Sequence, residues 1–274
     1  MRSSLEIYDL ASGTARVVLQ SNRHIEAPNW DPSGSTLLVN AEGRLFRVPL
    51  DAPALLPVET GPATRCNNDH GISPDGRQIV LSSHHEGEGS RIYLMPAGGG
   101  EPVCVTPQAP SWWHGWSPDG QTLAYVAARG SRVIDVYTLR PGESERRLTM
   151  GEGHCDGPDY SADGTQIYYN CDRDGHAQIW VMQADGSDQR KLFADDHVNW
   201  FPHPSPDGQH LLYLAYPPGT LGHPADLPVA LVLCDPQGQN RRRILDFNGG
   251  RGTMNVPNWS PDSRAFAFVR YAKA

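Results

Sequence analysis

Apolar residues occur along the chain in short runs that are separated by turn-forming residues. The runs QIVLSS, QIYYNC and AQIWVMQ are typical, and each leads into a polar segment that contains Gly. Runs of this length, bounded by such segments, predict β-strands. The 274 residues include 28 Gly and 24 Pro, which favours a fold of many short strands joined by tight turns.

One phrase recurs six times and defines a repeat. Its copies are WDPSGSTLLV, ISPDGRQIVL, WSPDGQTLAYV, YSADGTQIYY, PSPDGQHLLYL and WSPDSRAFAFV, with equivalent positions at Pro32, Pro74, Pro118, Ala162, Pro206 and Pro261. The steps between these positions are 42, 44, 44, 44 and 55 residues. Pro presets φ, Asp accepts hydrogen bonds from nearby backbone and Gly adopts positive φ, so the phrase predicts a tight turn. We therefore interpret its Asp and Gly as structural.

Each repeat contains four predicted strands, the number in one propeller blade. The predicted fold is an all-β, six-bladed β-propeller with four antiparallel strands per blade. We expect a single domain over residues 1–274, with blades at roughly 24–60, 66–107, 110–149, 154–193, 198–246, and 253–274 together with 5–20.

The two ends of the chain each supply half a blade. LEIYDL and ARVVLQ have the pattern of third and fourth strands, and WSPDSRAFAFVRY has that of a first and second strand. Residues 5–20 should therefore pair in one sheet with residues 256–271, because this removes unpaired strand edges. The longest repeat step contains the insertion AYPPGTLGHPADLP, and we expect residues 217–228 to form a loop on the face described below.

The repeats resemble the six-bladed propeller of the TolB family. The resemblance lies in the SPDG-type copies, in DRDG at Asp172 to Gly175, and in RKLF or RRLT in fourth strands, and it extends from Leu5 to Tyr271. The same repeat occurs in the propellers of oligogalacturonate lyases and of prolyl-oligopeptidase-type peptidases. The resemblance implies the fold and leaves the function open, because one fold hosts many functions.

Charge and cysteine content narrow the choice of partners. The chain has 23 basic and 31 acidic residues, a net charge of −8, and no basic tract, which argues against nucleic acid as a partner. It has no apolar run of about 20 residues for membrane insertion and no signal-peptide core at its start. We expect a cytoplasmic monomer. Its five cysteines lack CxxC spacing, so most should be reduced, with Cys171 and Cys234 as buried thiols.

Blade topology predicts that most histidines share one face. The loops that enter first strands, and those that join second to third strands, lie opposite the Pro-Asp-Gly turns. Of the 11 histidines, all except His210 fall in these segments. They are His24, His70, His84, His85, His114, His154, His176, His197, His203 and His223. One loop histidine is usually just solvated, but several that converge suit metal binding, acid–base chemistry or an acidic or sugar ligand.

The second and third blades differ from the other four at one repeat position near the start of the first strand. Four blades have Pro three residues before the repeat's Ser or Asp, whereas the second and third have His70 and His114, each followed by Gly. Because Gly lets backbone approach a ligand closely, we predict a binding pocket here. Its predicted residues are His70, His114, His154, His203, Asp156 and Glu26, with Trp112, Trp113 and Trp200 as exposed rings for stacking on sugars. The four histidines are the candidate ligands of a divalent cation.

Two functions remain open at this point. The first is a binding module that holds a protein segment or a small acidic or carbohydrate ligand on the histidine-rich face. The second is a metal-dependent polysaccharide lyase resembling oligogalacturonate lyase. That resemblance implies a histidine-bound metal that polarises a uronate carboxylate while a base removes the adjacent proton. The chain has no GxSxG motif, so peptidase chemistry is not expected. The repeats favour the binding module, which needs no further machinery.

Overall fold

The structure is a computed structural model that describes residues 2–85, 89–130 and 132–272. Within these ranges the chain forms strands and no helix, and so no helix there is long and apolar enough to cross a membrane. In chain order the strands are β1 (Arg2–Asp9), β2 (Thr14–Ser21), β3 (Ile25–Trp30), β4 (Thr36–Ala41), β5 (Arg44–Pro49), β6 (Leu56–Pro57), β7 (Cys66–Ile72), β8 (Gln78–His85), β9 (Gly89–Pro96), β10 (Val103–Cys104), β11 (Ser111–Trp116), β12 (Leu123–Ala127), β13 (Asp135–Leu139), β14 (Arg146–Arg147), β15 (Cys155–Tyr160), β16 (Gln166–Cys171), β17 (Gln178–Gln183), β18 (Arg190–Lys191), β19 (Val198–Pro204), β20 (Leu211–Tyr216), β21 (Leu227–Cys234), β22 (Arg242–Gly249) and β23 (Ala265–Ala272).

The strands form six sheets, one for each repeat. Five sheets contain four strands in chain order, namely β3–β6, β7–β10, β11–β14, β15–β18 and β19–β22. The sixth has the order β2-β1-β23, with an isolated bridge between Trp259 and Phe266 beside it. This confirms the predicted all-β, six-bladed propeller. The chain divides into two compact units: unit 1 consists of residues 1–113 and 251–274, and unit 2 of residues 114–250.

The two ends of the chain meet in one sheet of unit 1, as predicted. Strand β1 pairs with β23 in antiparallel register from Arg2 opposite Ala272 to Asp9 opposite Ala265. Leu5 of β1 is buried in a core cluster that also contains residues of β3, β4 and β23. Burying one such side chain stabilises a fold by about 1.5–3 kcal/mol, so the first strand contributes strongly to unit 1.

The repeated turns are structural, as interpreted from the sequence. In the second blade, Ser73 Oγ donates to Asp75 Oδ1 at 2.6 Å. Gly76 of the same turn has a φ of +72°, and a Cβ there would meet Pro32 of the preceding blade at 3.6 Å. The turn thus both reverses the chain and packs against its neighbour. Unit 2 repeats the Ser–Asp bond in the turn that begins at Ser161.

One expectation about the cysteines was wrong. Cys171 is not a free thiol, because it forms a disulfide with Cys155, which lies opposite it on β15. The two residues are 16 positions apart and meet only through strand pairing, so a search for CxxC spacing misses them. Cys234 is a buried free thiol as predicted, and burial raises its pKa to about 12.

Candidate functional site

The first strand of three blades contains a bulge at the same repeat position. The register shifts lie between Glu26 and Asn29, between Asp156 and Asp159, and between Trp200 and His203. Each bulge has positive φ just before its proline, at Ala27 (54°), Gly157 (60°) and Phe201 (54°). A bulge bends the strand and redirects the side chains beside it. Glu26 in unit 1 and Asp156 in unit 2 therefore occupy equivalent positions.

Asp156 lies at the centre of a group of histidines in unit 2. Its Oδ1 is 3.0 Å from Nε2 of His114, and its Oδ2 is 3.3 Å from Nε2 of His154 and 3.8 Å from Nε2 of His223. We call these four residues the Asp156 cluster. His114 is buried, whereas 42% of the His154 side chain and 22% of the His223 side chain are exposed. The cluster thus has a buried carboxylate behind exposed imidazoles.

The charges of this cluster depend on one another. Burial disfavours the charged form of Asp156, but His114 and His154 outweigh it and hold the pKa well below its usual value. Asp156 is therefore ionised at neutral pH. Burial also opposes the charge of His154, yet the bond to Asp156 and its negative charge raise the His154 pKa above 6.5. His154 consequently keeps its proton to a higher pH than a free histidine does.

A second imidazole–carboxylate pair is buried in unit 2. His203 Nδ1 lies 2.9 Å from Asp159 Oδ2, and the His203 side chain is fully buried. Burial raises the pKa of Asp159 although the bond to His203 opposes this. The predicted pocket included His203 but not Asp159. The repeat alignment was the available sequence signal, because Asp159 and His203 each follow the proline that precedes the repeated turn by a few residues.

Aromatic rings hold the exposed imidazoles of the Asp156 cluster. The Trp200 ring lies with its centroid 5.8 Å from that of His154 and 4.4 Å from that of His223. Trp200 is only 3% exposed, which contradicts the expectation that it is an exposed stacking ring. It is buried because it packs edge-on against these imidazoles and beside Phe201. Trp200 thus positions the two histidines.

His223 belongs to the inserted loop between β20 and β21. Its contact with Asp156 agrees with the prediction that this loop lies on the histidine-rich face. The Tyr216 hydroxyl donates to the Pro224 carbonyl oxygen at 3.1 Å and ties the loop to the end of β20. His223 was not among the predicted pocket residues. Two sequence signals pointed to its position, namely the length of the last repeat step and the topology that placed His223 on the histidine-rich face.

Glu26 is the centre of the corresponding group in unit 1. Its Oε1 lies 3.3 Å from Nε2 of His24 and 3.5 Å from Nδ2 of Asn68. The His24 ring stacks on Tyr271 with centroids 4.7 Å apart, and the Tyr271 hydroxyl donates to the Ile25 carbonyl oxygen. We call Glu26, His24, Asn68 and Tyr271 the Glu26 cluster. The pocket predicted from the sequence included Glu26 but did not include His24, Asn68 or Tyr271.

His70 is fully buried in β7, and its ring makes no hydrogen bond of good geometry with the residues that the structure describes. Burial lowers its pKa to about 4, although the nearby carbonyl groups of Leu38 and Asn67 and the charge of Glu26 act in the opposite direction. The ring is therefore neutral at pH 7. A neutral imidazole has one donor and one acceptor nitrogen, and neither forms a well-aligned hydrogen bond with the described residues.

The glycines after His70 and His114 make room for protein rather than for a ligand, which corrects the prediction. A Cβ on Gly71 would lie 2.3 Å from the Trp113 ring, and one on Gly115 would lie 2.9 Å from Asp159 Oδ1. Trp113 is consequently fully buried instead of exposed, and Trp112 is partly buried. The two histidines themselves are buried strand residues, because the same close packing covers them.

The structure brings His114, His154 and Asp156 of the predicted pocket together in unit 2. Glu26 and His70 belong to unit 1, and His203 pairs with Asp159 instead of joining the other three. Across the described ranges, no three His, Cys, Asp or Glu side chains are arranged to hold one metal ion. The predicted metal set of His70, His114, His154 and His203 thus gains no support from the geometry.

Comparison with known proteins identifies the family. Residues 105–222 match the family model for the PD40 TolB beta propeller domain. Uncharacterized protein Atu1656 of Agrobacterium fabrum is 48% identical over 99% of this chain and 93% of its own length. A solved structure from Agrobacterium tumefaciens, provisionally named TolB, has a TM-score of 0.98 at 47% identity and covers 100% of this chain and 99% of that one.

A more distant likeness concerns the fold alone. The structure of an oligogalacturonate lyase in complex with manganese has a TM-score of 0.58 at 15% identity, over 90% of this chain and 74% of that one. Its manganese belongs to that lyase. On the full-length match to its relatives, the chain belongs to the family of TolB-type β-propeller proteins.

Proposed function

We propose that the chain is a binding module that holds an acidic group at the Asp156 cluster, presented either by a protein segment or by a small ligand. The observation that carries the proposal is the placement of His154 and His223 in front of a buried, ionised carboxylate. Asp156 raises the pKa of His154. The contact of His154 with Asp156 uses Nε2, and Nδ1 makes no hydrogen bond with the described part of the chain. This N–H is therefore available to a ligand carboxylate.

The balance of charge in the cluster sets the sign of the pH dependence. Asp156 contributes one negative charge, so the cluster becomes net positive once two of its three imidazoles are protonated. His154 contributes to this positive charge, because its pKa is raised above 6.5. An acidic ligand should therefore bind more tightly as the pH falls through this range, while Asp156 itself stays ionised.

Two alternatives have less support. A carbohydrate ligand was expected to stack on tryptophan rings, but Trp113 and Trp200 are buried. The metal-dependent lyase would need several protein ligands around one ion, and the described residues do not form such a group. The acidic-group proposal uses only contacts that are present in unit 2.

The proposal can be tested by isothermal titration calorimetry with two probes, succinate and a capped tetraglutamate peptide, at about pH 6 and about pH 8. We expect tighter binding at the lower pH. His154→Gln should weaken it by roughly tenfold there and flatten the pH dependence, because a charge-assisted hydrogen bond is lost. A preference for the peptide would indicate a protein segment as the natural ligand.

His210→Gln is the matched control, because His210 follows a repeat turn outside the cluster. It should bind both probes as the unsubstituted chain does. Equal affinity at the two pH values, or unchanged binding by the His154 variant, would contradict the proposal.

A further inference from the structure

A cavity of about 550 Å³ lies in unit 2, between the segment that enters β19 and the turn that joins β21 to β22. Its buried lining side chains include Tyr213 and Val232. Its more exposed ones include His197, Arg241 and Arg243, so solvent reaches the cavity on their side. Sites for small molecules have volumes of roughly 300–1,000 Å³ and the same combination of an apolar interior with a few polar groups. We call this the Arg241 cavity.

The guanidinium group of Arg241 is held in place by residues of the preceding blade. Its Nη1 donates to Asp195 Oδ2 at 2.8 Å, and its Cζ lies 4.4 Å from the centre of the Phe193 ring. A guanidinium has five N–H donors, and the bond to Asp195 uses one of them. Arg241 therefore keeps N–H groups for a ligand, while the ion pair and the ring fix its direction and so reduce the entropy lost on binding.

Arg243 brings a second guanidinium group to the same cavity, because alternate residues of an extended strand project to the same side. Arg242, which stands between the two, does not line the cavity. Arg243 pairs with Asp246, and the two side chains are 54% and 64% exposed. An ion pair as exposed as this contributes little, so a ligand anion can compete with Asp246 for Arg243.

The turn that leads into these arginines is packed tightly against the preceding blade. Gly238 has a φ of +76°, and a Cβ there would lie 2.7 Å from Leu192 Cγ and 2.8 Å from Phe193 Cδ1. Asn240 also has positive φ (56°), and its Nδ2 donates to Asp235 Oδ2 at 2.9 Å. This wall of the Arg241 cavity is therefore fixed before a ligand binds.

The charged groups of the Arg241 cavity define the chemistry of its ligand. Among the described residues, two guanidinium groups line it against one carboxylate, that of Asp195, which already accepts from Arg241. A phosphate monoester carries a charge of about −1.5 to −2 at pH 7 and three acceptor oxygens, so it can accept from both arginines at once. We propose that the Arg241 cavity binds a small organic phosphate monoester, with the phosphate at Arg241 and Arg243 and the organic part on the apolar interior. The cavity contains no residue of the Asp156 cluster, and this proposal does not depend on the one for that cluster.

Three small probes test the proposal, namely phenyl phosphate, inorganic phosphate and phenol. Binding is followed by NMR at about pH 8, where the phosphate monoester is a dianion. We expect phenyl phosphate to bind most tightly and to shift the backbone amide signals of residues 238–243. Inorganic phosphate should bind more weakly, because it leaves the apolar interior uncovered, and phenol should not bind. Binding at the Asp156 cluster should be weakest at this pH, so failure of one proposal can be distinguished from failure of the other.

Arg243→Gln should weaken the binding of phenyl phosphate by roughly tenfold, because it removes a charge-assisted hydrogen bond at an exposed position. Arg241→Gln should weaken it at least as much, and its Tm should be recorded because Arg241 also packs on Phe193. Arg242→Gln is the matched control, since it removes the same charge from the same strand as Arg243→Gln but outside the cavity, and it should bind normally. Equal losses in the Arg242 and Arg243 variants, or unchanged affinity in Arg243→Gln, would overturn the proposal. So would the absence of phenyl phosphate binding, or inorganic phosphate binding as tightly as phenyl phosphate.

Discussion

Glu26 and Asp156 occupy the same position in the repeat but have different surroundings. Each follows a histidine by two residues and precedes a bulge, and in each case Nε2 of that histidine lies 3.3 Å from the carboxylate. Asp156 also contacts His114 and His223, whereas Glu26 contacts the amide of Asn68. The repeat therefore sets where the carboxylate lies, and the neighbouring strands and loops set its charge balance.

His70 and His114 also occupy equivalent positions in the repeat and also have different surroundings. Both stand where other blades have proline, and both are buried. His114 contacts Asp156 at 3.0 Å, whereas the His70 ring has no hydrogen bond within the described structure and its pKa falls to about 4. Equivalent residues thus differ in their surroundings, because of these two rings only that of His114 pairs with a carboxylate.

The largest expected effect comes from removing residues 1–12, which contain β1. Unit 1 would lose the partner of β23 and buried side chains such as Leu5 and Ile7, whereas the chain of unit 2 would remain intact. We expect Tm to fall by about 10 °C or more, measured by circular dichroism. Val17→Ala, at an exposed position in the same sheet, is the control. An unchanged Tm after the deletion would show that β1 is dispensable.

Substituting the glycines that follow His70 and His114 compares the tightness of packing around Gly71 in unit 1 with that around Gly115 in unit 2. Gly71→Ala should destabilise the protein by about 1–3 kcal/mol, because the added methyl group meets the buried Trp113 ring. Gly115→Ala should cost less, since its closest contacts, with Asp159 Oδ1 at 2.9 Å and the Pro158 carbonyl oxygen at 3.0 Å, are longer than the 2.3 Å contact at Gly71. Urea unfolding measures both. Gly98→Ala, where nothing lies within 4 Å, should have little effect, and a larger loss there than at Gly71 would refute the steric explanation.

Asp156→Asn tests whether the Asp156 carboxylate is what raises the pKa of His154. Burial would still oppose the charge of His154, but the main interaction that raises its pKa would be gone. We expect the His154 pKa to drop below 6.5, measured by NMR titration. Asp172→Asn should lower it less, because Asp172 makes the smaller contribution. If both variants titrated like the unsubstituted chain, the cause assigned to the shift would be wrong.

The same shift affects stability. A raised folded-state pKa means that protonated His154 stabilises the protein fully below about pH 6.5, and that this contribution is lost as the pH rises through the folded-state value. In Asp156→Asn this pH dependence should weaken, which urea unfolding across the range would detect.

The smallest effect is expected in the repeated turns, where the two units should not differ. Asp75→Ala in unit 1 and Asp119→Ala in unit 2 each remove the carboxylate that accepts from a serine hydroxyl. Both turns are exposed and have the same hydrogen bonds, so both variants should show the same small fall in Tm. A marked difference between them would mean that the turns are not equivalent in the two units.

The architecture could be predicted because its signals are local or periodic. The turn that contains Pro74, Asp75 and Gly76 is specified by residues adjacent in the chain, and its recurrence every 44 residues or so implies the blade. The joining of β1 and β23 also followed, since each end had the pattern of half a blade. The convergence of His114, His154 and Asp156 was predictable for the same reason, because all three lie in or just before the first strand of a repeat.

The partners of these side chains were decided by tertiary structure alone. No spacing links Cys155 to Cys171, His223 to Asp156, or Trp113 to Gly71, since each pair meets through strand pairing or loop placement. Protonation is decided at the same level, because it depends on burial and on the charge in contact with each ring. The amino-acid sequence by itself determines a six-bladed propeller and the strand positions of the candidate residues. Only the packed structure raises the pKa of His154 and lowers that of His70, because a carboxylate contacts the first ring whereas burial dominates at the second.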